Sequence, residues 1–250
     1  MILHRFETID STNDRAKQMA KDGAQSGTVL VAAAQTGGKG RMGRTFQSPP
    51  GMGMYLSLIL RPECKAAQLL HLTCAAAVAV CDAVEQAAGF RPGIKWTNDL
   101  VCGNRKLGGI LTELSLIQGT DQVDFAIIGI GINCLQSKAD FSPELQDMAM
   151  SLSQAAGKTV SPEALTEAML QSLGKLEHGL LSQKTQYLEI YRRDCVTLGK
   201  EISIVRGECV QHALALDIDP DGGLLVRLEN GTVETVSSGE VSIRGMYGYV

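Results

Sequence analysis

The apolar positions of this chain fall into two textures. Up to about residue 198, runs of strand length alternate with longer stretches of helical period, whereas from Gly199 onward only short alternating runs remain. In the first texture, residues 2–9 and 28–35 read as strands, the second (TVLVAAAQ) apolar enough to be buried. Residues 54–60, 94–102, 106–116 and 123–133 read the same way, with Gly103-Asn104 marking a turn. Helices are expected over 11–21, 65–88, 162–181 and 184–194. The 65–88 segment is apolar nearly all round, which predicts a core helix. Its uncharged run, 66–81, is too short and too alanine-rich for a bilayer span.

The second texture consists of ISIV, ALALDI, LLVRL, TVETV and EVSIRG, with hairpin turns at DPDGG (219–223) and ENG (229–231). Short strands in that rhythm predict a small β-barrel of SH3-like size. The division expected is a larger α/β domain over 1–198 and the small β domain over 199–250.

Composition narrows the function classes. The 250 residues are 44% apolar and 20% charged, as in an ordinary globular protein. A net charge of −4, with no recognition helix in evidence, predicts neither a nucleic-acid nor a membrane partner. The seven cysteines contain no CxxC pair and the four histidines are scattered, so no metal site is expected. MILHRFETID acquires charge at once and lacks the apolar core of a signal peptide, so a cytoplasmic protein is expected.

Against that acidic background one segment stands out. QTGGKGRMGRTFQ (35–47) holds four glycines and three cations with no acidic group. A strand running into such a loop offers backbone N–H groups and room for close approach, which suits a phosphate or carboxylate. It is neither a Walker A loop nor a dinucleotide fingerprint, because GxxxxGK[ST] is absent and no helix follows directly. The competing reading is a surface loop with solvated cations. Its glycines make it entropically costly to fix, which predicts disorder when no ligand is bound.

Three further segments carry candidate chemistry. Ser11–Asp14 reads as a capping box, with Asp14 reaching back, at a helix N-terminus that also suits an anion. In KWTNDLVCGNRKLGGILTEL (95–114), a two-residue turn at 103–104 pairs Cys102 with Arg105. Lys95, Asp99 and Lys106 then share one side of the hairpin, with Asp99 opposite Gly108. A three-residue loop would flip Lys106, and an exposed edge hairpin is the competing reading. Asn98-Asp99 is poor strand sequence, and such a misfit often marks a site. In IGIGINC (128–134), Gly129 and Gly131 share a face with Asn133, leaving room for a flat ring or for a crossing helix.

Taken in order and spacing, STN, Q…GKGRMGR, KWTNDL…RKLGGIL, GIGIN and the late EVSIRG resemble the successive motifs of biotin protein ligases. They run from Ser11 to Asn133 and resume at Glu240–Arg244, and residues 135–197 add none. This chain has Lys39, Phe46 and Thr97 where the family commonly has Arg, Trp and Pro.

The resemblance implies a mixed-sheet catalytic domain like that of class II aminoacyl-tRNA synthetases, followed by an SH3-like domain. It implies an ATP-dependent enzyme that forms biotinyl-5′-AMP and passes biotin to a lysine of a biotin carboxyl carrier protein. Ser11, Thr12, Asn13 and Gln35 would line the biotin pocket, and Lys39, Gly40 and Arg41 would belong to the loop closing over it. Lys106 would sit between the biotin carboxylate and the α-phosphate. Lys95, Asn98 and Asn133 would meet ATP, whose Mg²⁺ rides on the phosphates, and Arg44 and Arg244 would add phosphate contacts. Asp99 would orient or deprotonate the incoming lysine. The form expected begins directly at the catalytic domain, without a DNA-binding domain, and admits a homodimer. The nearest rival of the same architecture is a lipoate or octanoate ligase or transferase, whose ligand has no ureido ring to use the Ser-Thr-Asn-Gln end.

Overall fold

The computed structural model describes residues 1–237 and, by backbone pairing alone, the strand at 242–245. Seven strands form one mixed sheet: β1 (Ile2–Ile9), β2 (Thr28–Gln35), β3 (Gly53–Leu60), β4 (Gly93–Lys95), β5 (Asp99–Cys102), β6 (Arg105–Leu116) and β7 (Val123–Asn133). Their order is β1-β2-β3-β7-β6-β5-β4, with β1 and β2 parallel and the other neighbours antiparallel. β3 is buried along its whole length, as its near-continuous apolar run GMYLSLIL requires of a strand covered on both faces.

Helix α1 (Thr12–Lys21) covers one face, packing Ala16 and Ala20 on Leu30, Ile59 and Ile127. The opposite face carries α2 (Leu72–Ala88), α3 (Leu152–Ala156), α4 (Pro162–Gly179) and α5 (Lys184–Asp194). Twelve of the 17 residues of α2 are buried, mostly Ala, Val and Cys, which lets α4 and the sheet approach closely. Ala66–Ala88 has the length and apolarity of a membrane span, yet 72% of that window is buried inside the fold.

The expected continuous helix over 65–88 is broken into a 3-10 turn, Ala66–Leu69, and α2. Bonds outside the helix compete there: Lys65 pairs with Gln122, the Ala66 N–H donates to the Asp121 carbonyl, and buried His71 bonds Leu180 through Nε2. The strand expected over 94–102 is likewise two strands, because the chain turns between Lys95 and Asp99, which pair across an antiparallel register. The misfit at Asn98-Asp99 marks that turn.

The C-terminal part is a five-stranded antiparallel sheet of β8 (Glu201–Arg206), β9 (Cys209–Ile218), β10 (Leu224–Leu228), β11 (Val233–Val236) and β12 (Ser242–Gly245). One hydrophobic core runs from α2 and α5 into Ile202, Ala213, Val226 and Val236 of this sheet. The turn at 219–223 docks on the larger domain: the Trp96 Nε1–H donates to the Gly222 carbonyl at 3.0 Å and Arg192 holds the Ile218 carbonyl.

Candidate active site

The strand ends on the α1 side open into one cavity of about 800 Å³. Ser11, Thr12, Asn13, Gln35, Lys39, Gly40, Arg41, Arg44, Lys95, Asn98, Asp99, Lys106 and Asn133 all line it. Arg244 lies on β12, and its side chain is outside the described residues.

The N-terminus of α1 and the end of β2 build a dense polar wall. Thr12 donates through its backbone N and its hydroxyl to Gln35 Oε1, at 2.8 and 3.0 Å, and Gln35 Nε2 donates to Ser48 Oγ. Fully buried Ser57 donates to Asn13 Oδ1 at 2.6 Å, while Asn13 Nδ2 donates to Glu113 at 2.8 Å. Such a satisfied network fixes the side chains that face the cavity. Ser11 does cap α1, accepting from the Asp14 N–H, but Asp14 does not reach back. Its carboxylate instead binds Lys17 at 3.1 Å and Lys39 at 2.5 Å, cations close enough to out-compete a backbone N–H.

Gly129 and Gly131 make room on the α1 face, although for protein rather than for a bare ring. A Cβ at Gly129 would lie 2.0 Å from Asn13 Oδ1, and one at Gly131 would lie 2.7 Å from the Phe46 ring. The crossing helix and the aromatic after the cationic segment occupy the space.

The opposite wall is cationic. Cys102 faces Arg105 and Val101 faces Lys106, as expected of a two-residue turn, but the register shifts between Leu100 and Val101. Asp99 therefore faces Gly109 rather than Gly108, because one extra residue is accommodated on β6. Lys106 Nζ and Asp99 Oδ1 still meet at 2.6 Å, beside Gly109. Lys95 is buried, only 7% exposed, and lies across from Asp99.

The glycine segment forms a tight hairpin instead of the disordered loop its composition predicts. Gly40 N donates to the Arg44 carbonyl, Phe46 N donates to Gly38, and Met42-Gly43 turn the tip through left-handed backbone. Side chains anchor it on both walls, Lys39 to Asp14 and Arg41 Nη1 to Asn98 Oδ1 at 3.1 Å. These bonds offset the entropy that the glycines lose. Burial lowers the pKa of the Arg41 guanidinium, with Arg44 adding to this and Asp99 opposing it.

Residues 136–149 close the remaining side, and nothing in the sequence pointed to them. Gln136, Phe141, Leu145, Met148 and Ala149 line the cavity, held by a parallel pairing of Lys106 with Ala149. That pairing joins residues 43 apart in the chain and has no local pattern to betray it. Asn133 donates to the Met150 carbonyl and accepts from Gln136, which ties the end of β7 to this segment.

The cavity thus has a polar end, a cationic end and a hairpin strapped across it, on a mixed sheet joined to a small β domain. The chain belongs to the biotin/lipoate A/B protein ligase family, which it matches over residues 5–133. Residues 197–244 match the biotin protein ligase C-terminal domain. The chain is 35% identical over 248 residues to the bifunctional ligase/repressor BirA of Bacillus subtilis (strain 168), covering 97% of this chain and 74% of that protein. It is 29% identical over 237 residues to the biotin--[acetyl-CoA-carboxylase] ligase of Mycobacterium tuberculosis, covering 92% and 85%. Among solved structures, the biotin protein ligase from Aquifex aeolicus in complex with biotin and ATP superposes with a TM-score of 0.81 at 28% identity, covering 98% of this chain and 99% of that one.

Proposed function

We propose that this cavity carries out both halves of protein biotinylation. In the first, a carboxylate oxygen of biotin attacks the α-phosphorus of ATP and pyrophosphate leaves, giving biotinyl-5′-AMP. In the second, the amine of a carrier lysine attacks the acyl carbon, an amide forms and AMP leaves. The observation that carries this reading is the pairing, in one cavity, of a hydrogen-bonded Ser-Thr-Asn-Gln wall with the cations Arg41, Arg44, Lys95 and Lys106. A ureido ring uses the first wall; two anions pressed together need the second.

The barrier to the first step is anion against anion. Lys106 between the carboxylate and the α-phosphate, with Arg41 and Arg44 on phosphate oxygens, stabilises charge where it accumulates. Lys95, Asn98 and Asn133 hold the nucleotide, with Arg244 as a further phosphate contact. In the structure Lys106 rests on Asp99. When Lys106 turns to the anions, Asp99 changes partner and takes the ammonium of the incoming lysine, orienting or deprotonating it for the second step.

Among the described residues, the carboxylates lining the cavity are already engaged: Asp99 with Lys106, Asp147 with Lys138 and Asp140 with Ser137. This donor set suits a magnesium ion carried on the ATP phosphates rather than an all-protein cage. The acceptor we propose is a biotin carboxyl carrier protein, met in the cytoplasm. A mass-spectrometric search for acyl-AMP tests the substrate: with ATP and equal biotin and lipoate, only biotinyl-AMP should form. Lipoyl-AMP as the main product would favour the lipoate reading.

A further inference from the structure

The hairpin at 37–46 carries three cations, and the structure treats one of them differently. All three line the cavity, but the Lys39 ammonium sits on Asp14 of α1 at 2.5 Å while Arg41 reaches Asn98 on the facing wall. Asp14 does not stop there. Its other oxygen takes Lys17 at 3.1 Å, Lys17 reaches Glu113 at 2.9 Å, and Glu113 accepts from Asn13. An unbroken chain of charged hydrogen bonds thus links the strap to the polar wall of the cavity. Burial pushes the Asp14 carboxyl upward, yet the bonds from Lys39 and Lys17 outweigh it and hold the group below its usual pKa.

We infer that Asp14 is a positioning residue: it latches the cationic hairpin shut through Lys39, so that Lys39 retains the adenylate by holding the hairpin rather than by touching an anion. The inference rests on the biotin-ligase reading above and adds a division of labour within the strap. The Lys39 ammonium is held by Asp14. Its contact lies on α1, whereas Arg41 is tied to Asn98 on the facing wall. The hairpin is therefore pinned at two points on opposite sides of the cavity, and the Asp14 pin is the one outside the phosphate end. Releasing it leaves Lys95 and Lys106, which lie outside the hairpin, in place to make the adenylate, and leaves Arg41 tied to Asn98, but frees the Lys39 side of the hairpin to lift and lets water enter.

The test separates making the adenylate from keeping it. Without a carrier protein, biotin-dependent ATP–pyrophosphate exchange reads formation, and steady AMP release reads escape and hydrolysis. Asp14→Asn should leave exchange within about twofold and raise AMP release roughly fivefold, the scale of one half-exposed ion pair. Asp14→Glu should restore retention. In a double-mutant cycle, Asp14→Asn/Lys39→Gln should be no leakier than the leakier single variant. AMP release at the wild-type rate in Asp14→Asn, or multiplying effects in the double variant, would overturn the latch. Trypsin supplies a readout that needs no catalysis: cutting after Arg41 and Arg44 in the ligand-free protein should quicken in Asp14→Asn and not in Asp14→Glu. Loss of exchange in the wild-type protein would instead sink the functional reading, while the proteolysis would still decide the latch.

Discussion

On the proposed reading, Lys106 is the residue on which the chemistry turns. Its Nζ rests 2.6 Å from Asp99, partly desolvated in the cavity wall. Lys106→Gln keeps a donor on a slightly shorter side chain but removes the charge of a part-exposed pair. Adenylate formation should fall by about two to three orders of magnitude, the usual scale for losing a preorganised charge in a transition state, with little change in melting temperature. Near-normal turnover in the folded variant would remove Lys106 from the mechanism. Gly129 makes a second residue-scale case. An alanine there puts a Cβ 2.0 Å from Asn13 Oδ1, so Asn13 must leave Ser57. Gly129→Ala should cost about 1–3 kcal/mol of stability in thermal unfolding and weaken biotin binding more than ATP binding. Equal losses for both ligands would place Asn13 away from the biotin end.

At the scale of elements, the strand that ends in the strap and the hairpin that faces it were legible because their sequences break local rules. Glycines and cations where β2 should continue, and Asn98-Asp99 where a strand should run, both mark the site. The register of Lys106 against Val101 followed from the Gly103-Asn104 turn, but the shift before Val101 did not, since nothing local announces which strand takes the extra residue. The wall at 136–149 was illegible for a related reason, its pairing with Lys106 being a contact between distant segments. Disorder of the strap was the wrong inference from glycine content alone, because partners supplied by α1 and by Asn98 lie outside the segment. On the proposed reading the strap opens for a carrier lysine. Trypsin should therefore cut after Arg41 or Arg44 slowly in the ligand-free protein, and biotin with ATP should suppress those cuts while cuts elsewhere change little. Equal cutting in both states would contradict a gated strap.

At the scale of the molecule, the small β domain is part of the site's support. The sequence placed its strands and turns through their alternation, yet no pattern said that the 219–223 turn would grip the larger domain. The Trp96 indole donates to the Gly222 carbonyl, its backbone N–H donates to Thr197 Oγ1, and the Tyr191 hydroxyl donates to the Thr97 carbonyl. Lys95 and Asn98, the residues proposed for ATP, flank this clamp. Trp96→Phe keeps an aromatic ring and removes the donor, leaving the Gly222 carbonyl only the weak Cys74 thiol. The KM for ATP should rise roughly three- to tenfold, with the KM for biotin changed less, the range expected for one buried hydrogen bond. A change confined to biotin would place the clamp at the wrong end of the cavity.

The claim that joins these scales is that one cavity activates biotin with ATP. Biotin-dependent exchange of labelled pyrophosphate into ATP tests it most directly, because label returns to ATP only if biotinyl-AMP forms reversibly in the site. Exchange that requires biotin, disappears in Lys106→Gln and is not supported by lipoate is the result this account predicts. Exchange that proceeds without biotin, or none with biotin in a folded protein that binds both ligands, would contradict it.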